Sequence, residues 1–220
     1  MVEYRNRRSL TVVSDPVNTE SNAFAVALAE MKSFLKVDDT TEDALILEYM
    51  GASVQMIEAF CHRAIITKTY DFQLDRPNYA EPEPLGGLHN VISAAELGFG
   101  QFIDLPMPPL VTISSIKTYD TANAVSTLSS TYYTADLAGG RVYLNQGYSW
   151  PTALRDRASM IIRYTAGYGA TYDQLPVLLR LAIKQHVGVM YDSRELADIP
   201  DAVKKNNLAP YRLFDGLAFA

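Results

Sequence analysis

The residues of this chain whose types could do chemistry are few: three histidines, one cysteine, scattered carboxylates, and glycines at a strand-to-helix junction. His62, His89 and His186 show no pair at the helical spacing of metal ligands, and only the adjacent Cys61-His62 brings a thiol near an imidazole, so no metal site is expected. His186 lies between apolar turns of a helix, where a hydrogen-bonded or interface histidine is a better reading than a general base. His89 falls in a loop and is expected to be solvated. Cys61 sits on an apolar helix face as a small hydrophobe rather than a nucleophile, and a single cysteine forms no internal disulfide. Glu42, Asp43 and Glu48 suit a helix start that carboxylates stabilise, and Asp192, Glu195 and Asp198 a polar segment after a helix, rather than an acid/base pair. There is no Gly-x-Ser-x-Gly elbow, and Ser126–Ser130 reads as a loop. The run Ser159-Met-Ile-Ile-Arg-Tyr-Thr-Ala-Gly-Tyr-Gly169, followed by Leu175-Pro176, hands a strand abruptly to a helix. Such turns often cradle phosphate, but no Lys or Ser follows at phosphate-loop spacing. No catalytic residue, metal or cofactor is assigned, and the chain is read as a non-enzyme.

The elements around these residues divide into helical and strand segments. Met1 to about Glu20 lacks a sustained period, and Asp15-Pro16 breaks a helix there, so an extended N-terminal arm is expected over 1–20. Phe24, Leu28, Met31 and Leu35 form the stripe of a first helix ending near Lys36. Thr40 or Thr41 can cap a second helix that runs to about Arg63. Its apolar set, from Leu45 through Tyr49, Met56 and Phe60, is wide enough to touch two neighbours. The period then changes to two over Thr67–Leu74, with Tyr70, Phe72 and Leu74 on one face. Pro77, Pro82 and Pro84 with Gly86, Gly87, Gly98 and Gly100 mark a long loop over 76–100, with a short helix expected at Val91–Leu97. Strands are expected at 101–105, 111–119, 131–136, 140–144 and 159–165. Pro176 opens a third helix that is apolar nearly all round, including Leu178, Ile183 and Met190. A short helix over Asp201–Asn207 and an apolar tail with Leu213, Phe214, Leu217 and Phe219 complete the chain.

This order predicts an α+β fold: a helical bundle formed by the N- and C-terminal helices (21–66 and 176–212), an inserted small antiparallel β lobe (67–175), and a C-terminal tail (213–220). The hydrophobic fraction of 48% supports a sizeable core, while no apolar run approaches the roughly 20 residues of a membrane span. The N-terminus has no basic-then-apolar signal pattern, so synthesis without an export signal is expected. A net charge of -6 repels phosphate backbones, and Arg5, Arg7 and Arg8 read as a solvated tail rather than a nucleic-acid arm. Tyr132, Tyr133, Tyr143, Tyr148, Trp150, Tyr164 and Tyr168 concentrate in the β lobe, where they serve core packing, anchor an interface or stack on a sugar.

The landmarks occur in an order that resembles the tailed-phage head-tail connector (adaptor) family. They are Leu35-Lys-Val-Asp38, Thr41-Glu-Asp-Ala-Leu-Ile46, a helix closing on Glu58 through Arg63-Ala-Ile-Ile-Thr67, and Leu105-Pro-Met-Pro-Pro-Leu-Val-Thr-Ile-Ser-Ser-Ile116. Gly140-Arg-Val-Tyr-Leu144, Ser149-Trp150-Pro151, Ile162–Gly169 and Leu175–Ile183 follow, so the resemblance covers roughly residues 25–212. It implies a structural subunit in the virion neck, made in the host cytoplasm. Such subunits form a ring, commonly dodecameric, beneath the portal protein; the ring extends a channel through which DNA passes without specific binding and receives a downstream neck or tail protein. On that reading Tyr49, Met56, Phe60, Leu178, Ile183 and Met190 are candidate subunit-interface residues, and Tyr211, Leu213, Phe214 and Phe219 a candidate portal-docking tail. The alternatives are a different tail-completion protein, or a carbohydrate-binding β module using Trp150 and the nearby tyrosines.

Overall fold

A computed structural model of the chain describes residues 8–14, 26–75 and 102–213. The expected helix at Val91–Leu97, the start of the first helix, His89, Phe214 and Phe219 lie outside these residues. Among the described residues the chain forms four α-helices and eight strands in two antiparallel sheets. The expected helical bundle with a small β lobe is therefore corrected. Of the helices, α1 (Leu28–Leu35) has 8 residues, whereas α2 (Asp43–Cys61) and α3 (Val177–Ser193) have 19 and 17 and form the main helical pair. The sheets are no minor insert, and they recruit chain that the sequence reading left outside them.

That chain is β1 (Arg8–Ser14), which pairs antiparallel with β2 (Lys68–Leu74) from the segment expected to be an arm. It shows no clean alternation because it is an edge strand with Leu10, Val12 and Val13 all exposed. The remaining strands are β3 (Phe102–Asp104), β4 (Leu110–Tyr119), β5 (Val125–Thr127), β6 (Tyr133–Asp136), β7 (Arg141–Leu144) and β8 (Met160–Ala166). The larger sheet has the order β1-β2-β8-β4-β5 and the smaller β3-β7-β6. β5 overlaps the serine-rich stretch read as a loop, and its three residues are all exposed.

Two cores result. Met31, Ile46, Met50, Val54, Ile57, Leu179, Ile183, Val187 and Met190 close the helical core. Tyr70, Phe72, Ile116, Val142, Ile162 and Tyr164 belong to the second, shared by the two sheets. Alternation along β2 and β8 sends every second side chain into that core. By length and composition α2 could cross a membrane; in this fold its apolar stripe, Ile46, Met50, Val54, Ile57 and Cys61, lines the helical core instead.

The cores meet where α2 turns into β2. Glu58 accepts hydrogen bonds from the Ile65 N–H at 2.8 Å and from the Lys68 ammonium at 2.7 Å, all within the buried junction. A parallel bridge joins Ile66 to Gly169, with Thr67 N–H donating to the Gly169 carbonyl at 2.9 Å and Tyr168 N–H to Ile65 at 3.1 Å. The glycine-bearing junction is thus stitched to the α2–β2 turn. The three long-axis helices α1, α2 and α3 end on left-handed Lys36, His62 and Arg194, placing basic side chains where the helix dipole is negative.

Candidate assembly surfaces

Among the described residues no three of His, Cys, Asp and Glu converge in a way that could hold a metal ion. Cys61 is buried, and desolvation pushes its thiol up to about 11, which suppresses thiolate chemistry near neutrality. His186 is buried with its Nδ1 3.0 Å from the Ser53 Oγ and its Nε2 2.9 Å from the Ala197 carbonyl. A carbonyl can only accept, so Nε2 carries the proton, and Nδ1 accepts from the serine hydroxyl. Burial holds its pKa below the ordinary histidine value.

The surfaces are more informative than these groups. Helix α3 carries apolar residues on two sides. One, carrying Leu179, Ala182, Ile183, His186, Val187 and Met190, is buried in the helical core. The other carries Val177, Leu178, Leu181 and Val189, which are 66%, 38%, 37% and 40% exposed, interspersed with Gln185 and the exposed Asp192. Phe34 of α1, 44% exposed, continues that face beside Gly188, where an added Cβ would lie 3.4 Å from its ring. Of the candidate interface residues, then, Leu178 reaches the surface, while Ile183 and Met190 are enclosed within the subunit. Tyr49, Met56 and Phe60 are half-buried against the helical core. Val177, Leu181 and Val189 are surface residues that the sequence did not separate from their buried neighbours. Helical period alone cannot orient a helix that is apolar all round.

Salt bridges clamp the helices on this side. Lys32 pairs with Asp43 at 2.7 Å, Lys184 pairs with Glu30, and Arg194 meets Glu42 at 2.7 Å. Tyr191 also donates to Glu42, and its hydroxyl first, then Arg194, holds the Glu42 carboxyl below the usual carboxylate range. Glu42 occupies the N-cap position of α2 without a side-chain cap of its own, so neither Thr40 nor Thr41 plays the capping role expected of them.

The chain end is partly anchored. Leu208 is buried, Arg63 Nε donates to the Tyr211 carbonyl at 2.6 Å, and Leu213 N–H donates to the Cys61 carbonyl at 3.1 Å. Tyr211 sets its ring edge-on to Tyr168 at 6.1 Å. Tyr211 and Leu213 therefore fasten the segment to the end of α2. In the sheets, Trp150 and Tyr164 are buried, leaving Tyr132 and Tyr148 as an exposed stacked pair 4.3 Å apart. Each ring already covers a face of the other, and the tryptophan a sugar platform would use is in the core.

Residues 25–86 match the phage gp6-like head-tail connector protein family. This finding agrees with the family resemblance carried by the order of landmarks. The fold matches a chain in the neck of an empty gene transfer agent (GTA) particle computed with C6 symmetry, with a TM-score of 0.68 and 22% identity over 96% of this chain and 98% of that one. A chain in the neck of the native GTA particle computed with C12 symmetry gives 0.67 and 22% over 96% and 98%. One in the virion of the native particle gives 0.67 and 22% over 95% and 97%. At that identity the likeness establishes a shared fold across nearly the whole of both chains. No curated protein matches.

Proposed function

We propose that this chain is a structural head-tail connector subunit of a virion or virion-like particle, located in the neck. It forms a ring under the portal, extends the DNA channel and joins the capsid to the next neck or tail protein. The observation that carries this reading is the likeness to a particle-neck chain over 96% of the sequence, both sheets and helices included. The C6 and C12 symmetries with which those necks were computed support a ring of identical subunits, with twelve copies as the expected number. The surface chemistry supports a structural role: salt bridges tie α1, α2 and α3 to one another, and Val177, Leu178, Leu181 and Val189 of α3 are exposed. A net charge of -6 opposes adhesion to DNA, as a conduit requires.

The reading is tested by mixing the purified full chain with the cognate portal ring and imaging the product by cryo-electron microscopy. A second ring of this chain, coaxial with the portal and open at its centre, is the expected result. Absence of co-sedimentation and of added density at saturating chain would overturn it.

A further inference from the structure

We infer that the buried ion pair of Glu58 and Lys68 is a lock that fixes the angle between the helical core and the sheet core, and that ring closure depends on that fixed angle. The second half rests on the ring reading and says what the subunit must hold constant to satisfy it. Glu58 lies in the last turn of α2 and Lys68 opens β2, so the pair spans the turn where the chain leaves one core for the other. Within that turn Ala64 belongs to the sheet core, while its neighbours Ile65 and Ile66 belong to the helical core. Glu58 and Lys68 are 6% and 4% exposed, and the ammonium sits 2.7 Å from one carboxylate oxygen. The other oxygen accepts from the Ile65 N–H at 2.8 Å.

A charge pair in such a place is a poor source of stability. Desolvating both ions costs about as much as their attraction returns, so an apolar pair of similar volume would fill the site as well. What the pair supplies is direction. An apolar contact tolerates sliding, whereas a carboxylate held by a backbone N–H and an ammonium has one position that satisfies both. The backbone bonds from Ile65, Ile66 and Thr67 to Tyr168 and Gly169 tie the outgoing crossing to the returning one, and none of these reaches α2. Glu58 carries the connection back into the helix. The fold is shared with chains in necks computed with C6 and C12 symmetry, and a ring closes only when every copy is turned from the last by the same rotation, about 30° for twelve. Where neighbours meet through both cores, a variable angle between the cores becomes a variable rotation, giving rings of mixed size or open arcs.

The test uses the full chain. Glu58→Gln and Lys68→Met each remove one charge and leave the other in a buried site, and each is expected to lower the melting temperature by on the order of 10 °C. The double variant removes both charges, keeps an acceptor for the Ile65 N–H, and is expected to recover most of that loss. The angle is read by double electron-electron resonance between spin labels at Asp192→Cys on α3 and Lys117→Cys on β4, both exposed positions. The native Cys61, buried and with its thiol pushed up to about 11, stays unlabelled. The parent is expected to give one narrow distance, and the double variant a broadened distribution together with loss of most uniform rings on the cognate portal. A distribution as narrow as the parent's in the double variant, or single variants that melt with the parent, would overturn the lock while leaving the ring reading intact. Broadened distances with rings as uniform as the parent's would overturn the dependence of closure on the angle. Failure of the parent to form rings, alone or on the cognate portal, would remove the ring reading, and the label distances would still decide the lock.

Discussion

At His186 a single side chain couples the two longest helices to the segment that follows α3. Its imidazole accepts from Ser53 on α2 and donates to the Ala197 carbonyl, both within 3.0 Å, inside a fully buried site. Desolvation disfavours the imidazolium, so the folded-state pKa lies below the ordinary 6.5. The sign follows directly. Between the two values the unfolded chain binds more protons than the folded one, so stability is full above the unfolded pKa and is lost as pH falls through the folded pKa. Melting temperature is therefore expected to decline on acidification below about pH 6.5, before the general carboxylate range is reached. His186→Gln keeps a donor and an acceptor but cannot titrate. It is expected to flatten that part of the curve measured by differential scanning fluorimetry, at some cost in stability at pH 7. A parent curve flat from neutrality down to the carboxylate range would contradict the assignment. From sequence, the apolar turns around His186 already argued for a hydrogen-bonded residue; Ser53, 133 positions away, could not be named because nothing local encodes that contact.

The junction between β8 and α3 is the element whose sequence was most legible and whose role the structure sharpens. Gly167 has φ +140, and an added Cβ would fall 2.5 Å from the Thr67 backbone, so any side chain collides with main chain that cannot move without breaking the bridge to Gly169. Gly167→Ala is expected to cost about 3 kcal/mol or more from strain and overpacking, read as a melting-temperature drop on the order of 10 °C. Gly169→Ala would set its Cβ 2.4 Å from the Gln174 Cβ, which side-chain rotation cannot move, so the turn that holds Gln174 must shift and its bonds to the Ala170 and Thr171 N–H groups are lost, at a cost of about 1–3 kcal/mol. Gly51→Ala, in open space on a helix, is expected to be neutral or stabilising by up to about 1 kcal/mol. Equal effects at all three sites would refute the close-approach argument. Strands β2, β7 and β8 were readable because a buried face imposes alternation; β1 and β5 were not, since edge strands exposed on both sides carry no such constraint. That is also why the β part was underestimated as a small lobe.

At the scale of the whole molecule, the folded helices and the chain end offer different kinds of surface. The exposed residues of α3 were hidden in a helix apolar nearly all round, where only the packed structure separates Leu178 and Leu181 from Leu179 and Ile183. The proposed portal contact belongs to the chain end, and the structure divides that end in two. Through Leu213 the segment is part of the fold: Leu208 is buried, Arg63 holds the Tyr211 carbonyl, and Leu213 closes on Cys61. A truncation that begins at Leu208 would strip a buried leucine and the Arg63 and Cys61 contacts, and unfolding of the helical core would then mimic loss of docking. The informative cut falls after Leu213. It removes Phe214, Leu217 and Phe219 while sparing every anchoring contact named above. This variant is expected to keep the parent melting temperature within about 2 °C, since the anchoring contacts of Leu208, Tyr211 and Leu213 are all kept, and to lose most co-sedimentation with the cognate portal. Unchanged co-sedimentation would transfer the portal contact to the folded body. A large fall in melting temperature would show that residues 214–220 belong to the helical core, and that the apolar tail is internal packing rather than a docking segment.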